Sequence, residues 1–336
     1  MTESLQTIAR ALVAPGKGIL AADESNPTLE KRFDEHGIPH IAENRRAYHE
    51  LLFTAPEIEK YLSGIILFDE TIRQSTVDGI PFPALLTSRG IIPGIKVDQG
   101  TAPLDSGSGE MVTNGLDGLS ERYKEYYALG ARFAKWRAVF RIGDGLPSAA
   151  CIERNAIDLA TYAAVTQAAG LVPIVEPEVL MDGAHPIDRC YDVTHRVLSA
   201  VFDALRTHGV ALDSMLLKPN MILPGEGHEK ASPDTVAEAT LRCLHETVPQ
   251  DVPGIVFLSG GQTEQEACAN LQAINAQGSQ PWQLSFSYGR ALQTSTLDAW
   301  KGNTDHMLDA QRAFLRRARF VAAARSGTYI AEMENT

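Results

Sequence analysis

Three pairs of charged residues and one lysine are spaced for joint chemistry. Lys96 and Asp98, Lys135 and Arg137, and Glu176 and Glu178 each stand two positions apart. A period of two puts both members of a pair on one side of a β-strand. Lys218 follows the apolar run Met215-Leu216-Leu217 and precedes Pro219. An ammonium at the end of a buried strand is costly unless it is paired or its pKa falls. Desolvation and a neighbouring cation such as Lys135 would lower it, and a neutral amine attacks carbonyls to form a Schiff base. That reaction moves protons on and off a carbinolamine oxygen, so it needs a nearby carboxyl with a raised pKa. Glu176, between Val175 and Pro177, and Glu178 can supply it. The alternative is that one of the two only pairs with Lys135 or Arg137.

Two later segments have the makings of an anion site. Ser259-Gly260-Gly261 allows close backbone approach, and the helix expected after it offers free N–H groups and a positive dipole end. Gly289-Arg290 adds a second glycine turn and a guanidinium suited to bidentate phosphate contact. Lys31 and Arg32 form an isolated dibasic pair, which by itself reads as a solvated helix face. No HExxH is present, and Gly37 and Pro39 break up the His36 and His40 pair, so no metal is expected. Neither GxGxxG after the first strand nor GxxxxGK[ST] occurs, which removes the dinucleotide and P-loop readings.

These residues sit at the ends of recurring short apolar runs. The runs are Gly18–Ala22, Gly64–Phe68, Ile91–Ile95, Ala131–Ala134, Leu171–Val175, Met215–Leu217, Gly254–Leu258 and Trp282–Phe286. Several are continuously apolar, as strands buried on both faces must be. Helical periodicity fills Asn155–Ala169, Pro186–Thr207, Pro233–Thr247 and Thr263–Ala276, the last opened by a capping box at Thr263 and Glu266. Eight strands alternating with helices predict an α/β fold, a closed (β/α)8 TIM barrel whose strand ends converge on one face. A doubly wound open sheet is the alternative. No linker divides the chain, and Thr101–Gly118 reads as a long loop. Residues 1–336 are therefore expected to form a single barrel domain, with an N-terminal helix over 1–15 and a short C-terminal tail over 326–336.

The 336 residues carry 30 Lys and Arg against 42 Asp and Glu, a net charge of −12. That balance argues against general nucleic-acid binding, which wants clustered cations. No run of ~18 apolar residues predicts a membrane span, and the first ten residues lack the pattern of a signal peptide. Cys151, Cys190, Cys243 and Cys268 include no CxxC pair and read as reduced thiols of a cytosolic protein.

From about Ile8 to Tyr329 the chain resembles class I fructose-1,6-bisphosphate aldolase. The resemblance is carried in order by Leu20-Ala21-Ala22-Asp23-Glu24-Ser25, Gly94-Ile95-Lys96-Val97-Asp98, Gly115-Leu116-Asp117-Gly118-Leu119 and Phe133-Ala134-Lys135-Trp136-Arg137. It continues through Ile174-Val175-Glu176-Pro177-Glu178, Leu216-Leu217-Lys218-Pro219-Asn220-Met221, Phe257-Leu258-Ser259-Gly260-Gly261-Gln262 and Phe286-Ser287-Tyr288-Gly289-Arg290-Ala291-Leu292. The resemblance implies a barrel lyase that cleaves the sugar bisphosphate without metal or other cofactor. It makes Lys218 the Schiff-base lysine and Glu176 the principal acid/base. Asp23 would orient the C4 hydroxyl, Lys135 would balance charge and Glu178 would support the network. Ser259, Gly260, Gly289 and Arg290 match the C1-phosphate site, and Arg32, Ser25, Lys96 and Arg137 match positions around the C6-phosphate. A cytoplasmic homotetramer active in glycolysis and gluconeogenesis is implied. Sedoheptulose 1,7-bisphosphate is an alternative substrate, and a non-catalytic sugar-phosphate-binding barrel an alternative role. Two features depart from the family pattern: Asn26-Pro27-Thr28 stands where members often have Thr-Gly-Ser, and the sequence lacks the terminal Tyr of the animal enzymes' tail. Tyr329 or another group would take over protonation of the enamine, or that step would run differently.

Overall fold

The computed structural model describes residues 3–335. Eight strands, β1 (Gly18–Ala22), β2 (Leu62–Leu67), β3 (Ile92–Lys96), β4 (Phe133–Phe140), β5 (Val172–Val179), β6 (Leu216–Leu217), β7 (Gly254–Phe257) and β8 (Gln283–Tyr288), pair in parallel. They follow sequence order around the ring, and β8 closes on β1 through Ile19 opposite Ser287 and Leu20 opposite Tyr288. The protein is a (β/α)8 TIM barrel.

Strand side chains alternate between two layers. Ile19, Ala21, Ile66, Phe133, Val172, Ile174, Leu216 and Val256 cluster in the barrel interior. Leu20, Ile65, Val175, Leu217 and Ile255 join the outer layer with the helices. Space inside is tight: a Cβ on Gly94 would come within 2.3 Å of the Phe133 ring, so only glycine fits opposite that side chain.

The N-terminal helix, Leu5–Leu12, packs on the interior cluster through Ile8, Ala9 and Leu12 and plugs the base of the barrel. Ser4 caps it by accepting from Thr7 N–H at 3.2 Å. Arg325, buried at the end of the helix Met307–Arg325, fastens the following segment. Its guanidinium donates to the carbonyls of Val13 and Lys17, both at 2.6 Å, and of Ala14 at 3.2 Å. Residues 326–335 fold back, with a short 3-10 turn over Ala331–Asn335, while Thr336 lies outside the described residues. No described helix is long and apolar enough to cross a membrane. All four cysteines are buried free thiols.

The observed elements differ from the sequence expectation in several places. β4 and β5 run eight residues each, so Lys135, Arg137, Glu176 and Glu178 lie inside strands instead of beyond their ends. Inward side chains near the top of a barrel face a cavity, so polar residues continue the strand there without entering the core. β6 shrinks to Leu216–Leu217, with Met215 outside the ladder. The helix expected from Asn155 starts at Ala149, capped by Ser148 Oγ, which accepts from Cys151 N–H at 3.1 Å. The loop Thr101–Gly118 contains a two-stranded antiparallel ribbon, Thr101–Pro103 with Met111–Thr113. The capping box forms: Glu266 N–H donates to Thr263 Oγ1 at 3.2 Å and Thr263 N–H to Glu266 Oε2 at 2.9 Å.

Candidate active site

Lys218 follows β6 directly, and its backbone N–H donates to Val175 O at 2.8 Å, extending the ladder by one residue. This register sets its side chain beside Glu176 of β5. Lys218 Nζ lies 3.1 Å from Glu176 Oε1, and both side chains are about 95% buried. Glu176 Oε2 faces Lys135 Nζ of β4 at 3.3 Å, an ion-pair distance without hydrogen-bond alignment. Lys135 Nζ also donates to Asp23 Oδ2 at 2.8 Å and stands 3.7 Å from Asp98 Oδ2. Asp98 Oδ1 takes Lys96 Nζ at 3.0 Å. Lys135 is thus surrounded by three carboxylates, and Glu176 lies between two ammoniums.

This arrangement fixes the charge states at its centre. Burial works against charge on Lys135, but Asp23, Glu176 and Asp98 outweigh it and hold the lysine well above its ordinary pKa. Burial likewise works against the Asp23 carboxylate, and Lys135, Lys218 and Lys96 outweigh it, so its pKa falls below the ordinary value. Lys135 therefore stays a cation and Asp23 an anion at neutral pH. Arg137 of β4 pairs with Glu178 of β5, which matches the pairing alternative for one of the two glutamates.

One cavity of about 330 Å³ opens above these groups, and the residues that the resemblance assigned to catalysis and phosphate binding line it, whereas Lys31, Gly261 and Tyr329 do not. Asp23, Lys96, Lys135, Arg137, Glu176, Glu178 and Lys218 form its floor and walls. Ser25 and Arg32 come from the first turns after β1. Ser25 precedes the helix Asn26–Glu35, and its hydroxyl meets Thr28 Oγ1 at 3.0 Å. Pro27 sits in the first turn of that helix, where a missing N–H costs nothing. Arg32 therefore points into the site as a half-buried cation paired with Glu24, while its neighbour Lys31 is exposed. Ser259 and Gly260 after β7 and Gly289 and Arg290 after β8 line another part of the rim. A Cβ on Gly260 would stand 3.1 Å from Glu178 Oε1, so the absent side chain leaves the backbone open to the cavity. Arg290 is exposed on the rim.

The sequence reading missed several lining groups. Glu24 is the counter-charge of Arg32 and carries no local signal, while Asp98, marked in the sequence only by its i,i+2 spacing from Lys96, is the counter-charge of Lys96 and Lys135. Ser287, next to the strand end, is 99% buried and lines the cavity with a hydroxyl that has no hydrogen-bond partner. Tyr329 does not line the cavity. It packs against Phe320, and its hydroxyl donates to Glu334 at 3.0 Å.

Known proteins resemble the chain over nearly its whole length. The family described as "Fructose-bisphosphate aldolase class-I" matches residues 4–336. A protein of Xanthomonas axonopodis pv. citri (strain 306), named "Probable fructose-bisphosphate aldolase class 1", is 54% identical over 319 residues, covering 94% of this chain and 96% of that protein. The spinach (Spinacia oleracea) "Fructose-bisphosphate aldolase, cytoplasmic isozyme" is 53% identical over 319 residues, covering 95% and 89%. A solved structure of the Plasmodium falciparum fructose-bisphosphate aldolase, in complex with TRAP and a small-molecule inhibitor, superposes with a TM-score of 0.96 at 49% identity, covering 97% of this chain and 95% of that one. The chain belongs to the class I fructose-bisphosphate aldolase family of lyases.

Proposed function

We propose that the enzyme cleaves fructose 1,6-bisphosphate reversibly to dihydroxyacetone phosphate and glyceraldehyde 3-phosphate through a Schiff base on Lys218. The observation that carries this reading is the buried Lys218–Glu176 contact at 3.1 Å, with Lys135 and Asp23 next in line. Lys218 passes a proton to Glu176, and its free amine adds to the C2 carbonyl of the open-chain sugar. Glu176 returns the proton to the carbinolamine oxygen, and water leaves. Asp23, held ionised by Lys135, orients the C4 hydroxyl. Glu176 removes that hydroxyl proton as C3–C4 breaks, and the bonding pair flows into the protonated imine to give an enamine. Glyceraldehyde 3-phosphate departs. Protonation of the enamine at C3 and hydrolysis of the imine release dihydroxyacetone phosphate and regenerate the amine.

Ser259, Gly260, Gly289 and Arg290 hold the C1-phosphate, and Ser25, Lys96, Arg32 and Arg137 serve the other phosphate. Glu178 keeps Arg137 in place. The whole chain works as one barrel domain, as a cytoplasmic homotetramer in glycolysis and gluconeogenesis; the cytoplasmic naming of the spinach relative supports that location. The test is borohydride reduction in the presence of dihydroxyacetone phosphate, followed by peptide mass spectrometry. The reading requires an adduct on Lys218. A folded, ligand-saturated enzyme that yields none would rule out the covalent route.

A further inference from the structure

Behind the anion-binding rim lies a second set of buried charges that does not face the cavity. Glu264 opens the helix Glu264–Ala276, directly after the loop that carries Ser259 and Gly260. It is buried, and its carboxylate reaches across to the helix Arg290–Trp300. Oε1 accepts from Ser295 N–H at 3.0 Å, and Oε2 accepts from the Ser295 hydroxyl. Arg317, 2% exposed on the helix Met307–Arg325, supports this bridge. Its Nε lies 3.6 Å from Glu264 Oε2, and its Nη2 donates to the Glu264 carbonyl at 3.0 Å. Its Nη1 donates to both Glu334 oxygens at 2.6 Å, and Tyr329 donates to the same carboxylate.

One continuous set of contacts therefore joins the last residues of the chain to the roots of both anion loops. Phosphate recognition by backbone N–H groups and one guanidinium depends on their mutual placement before the ligand arrives. Each loop is short and contains glycine, so neither fixes its own position. A bare carboxylate at the start of the Glu264–Ala276 helix would also repel an incoming anion, and Arg317 neutralises it. We propose that Glu264, held by Arg317 and Glu334, is a positioning residue that sets the separation between the Ser259–Gly260 loop and Gly289–Arg290. The inference rests on the reading of these loops as the C1-phosphate site.

The test uses the full-length enzyme, with steady-state kinetics on fructose 1,6-bisphosphate and inorganic phosphate as a competing anion. For Glu264→Gln, KM and the phosphate inhibition constant are expected to rise together by about tenfold, with kcat held within about threefold, because anion placement and not the reacting groups is disturbed. Glu334→Gln, one step further away, is expected to raise both by about threefold. Should Glu264→Gln fail to fold, Ser295→Ala removes the hydroxyl arm of the bridge alone and is expected to move both constants in the same direction. Arg290→Ala separates the two ideas. If it leaves both constants unchanged, the phosphate reading falls and the inference with it. If it raises them while folded Glu264→Gln, or Ser295→Ala in its place, leaves them at wild-type values, the loops bind phosphate and the positioning role is wrong.

Discussion

The two ends of the barrel bury charge in opposite ways. At the base, Ile8, Leu12 and Val13 fill the opening, and the buried guanidinium of Arg325 is bonded to backbone carbonyls. At the mouth, Lys96, Lys135 and Lys218 share one cluster with Asp23, Asp98 and Glu176. At the base the Arg325 donors are bound to fixed backbone acceptors. The mouth leaves Glu176 between two ammoniums, Lys218 at 3.1 Å and Lys135 at 3.3 Å, within reach of an incoming substrate. Stability and chemistry are thereby assigned to different ends, and substitutions should separate them.

The largest effect is expected at the mouth. Lys218→Ala should lower kcat by about 10⁴-fold or more, because the covalent step is lost. Circular dichroism should be preserved, since the Glu176 carboxylate left behind keeps Lys135 as a counter-charge at 3.3 Å. Glu176→Gln, which keeps the shape but not the proton transfer, should cost roughly 10²–10³-fold in kcat, read in an assay coupled to glyceraldehyde 3-phosphate. Substantial turnover by either variant would break the assignment of chemistry to this end.

At the base the readouts should exchange places. Leu12→Ala should destabilise by about 2–5 kcal/mol in urea unfolding, since Leu12 is fully buried against the barrel floor. Its kcat/KM should stay at the wild-type value. Arg325→Leu strips the donors from Val13, Ala14 and Lys17 carbonyls and should cost about 1.5–3 kcal/mol, again without a change in rate. A kinetic defect in either folded variant would show that the two ends are coupled.

The smallest effect concerns acid stability. Asp23 has a depressed pKa in the folded state, so its contribution is present above the unfolded value near 4 and is lost as pH falls through the folded one. Lys135, raised in the folded state, contributes fully below about 10.4 and loses that contribution as pH rises further. Neither group therefore tilts stability between about pH 5 and 9. Asp23→Asn should flatten the stability profile below pH 4, measured by urea midpoints at several pH values. An unchanged acid slope would mean that the Asp23–Lys135 pair is not the source.

Much of the mouth was legible because chemistry there interrupts apolar runs. Lys218 after Met215-Leu216-Leu217 and the i,i+2 pairs mark positions where an inward side chain has left the core. The same interruptions concealed how far β4 and β5 continue, since a charge inside a strand reads as its end. Ser287 escaped notice because a lone serine in a strand carries no signal until its hydroxyl is seen buried and unpartnered. The Glu264–Ser295 bridge was equally invisible. It joins two helices whose separation is set by the barrel's closure, and no local pattern records that distance. Arg32 shows the limit from the other side: its spacing described a helix face, and only the course of the helix Asn26–Glu35 decides that it turns towards the cavity while Lys31 turns to water.

The fastening of the base has a consequence for synthesis on the ribosome. β1 needs β8 as a neighbour, and the carbonyls of residues 13–17 need Arg325, more than 300 positions later. Residues emerging first can form helices and adjacent strand pairs, but the edge of β1 stays open until Ser287 has been made. The N-terminal helix gains its last anchor only after that. Any sheet formed before β8 is made keeps an unpaired β1 edge, which is open to pairing with another such chain. Closure of the ring therefore waits for β8, and the fastening of residues 13–17 waits for Arg325.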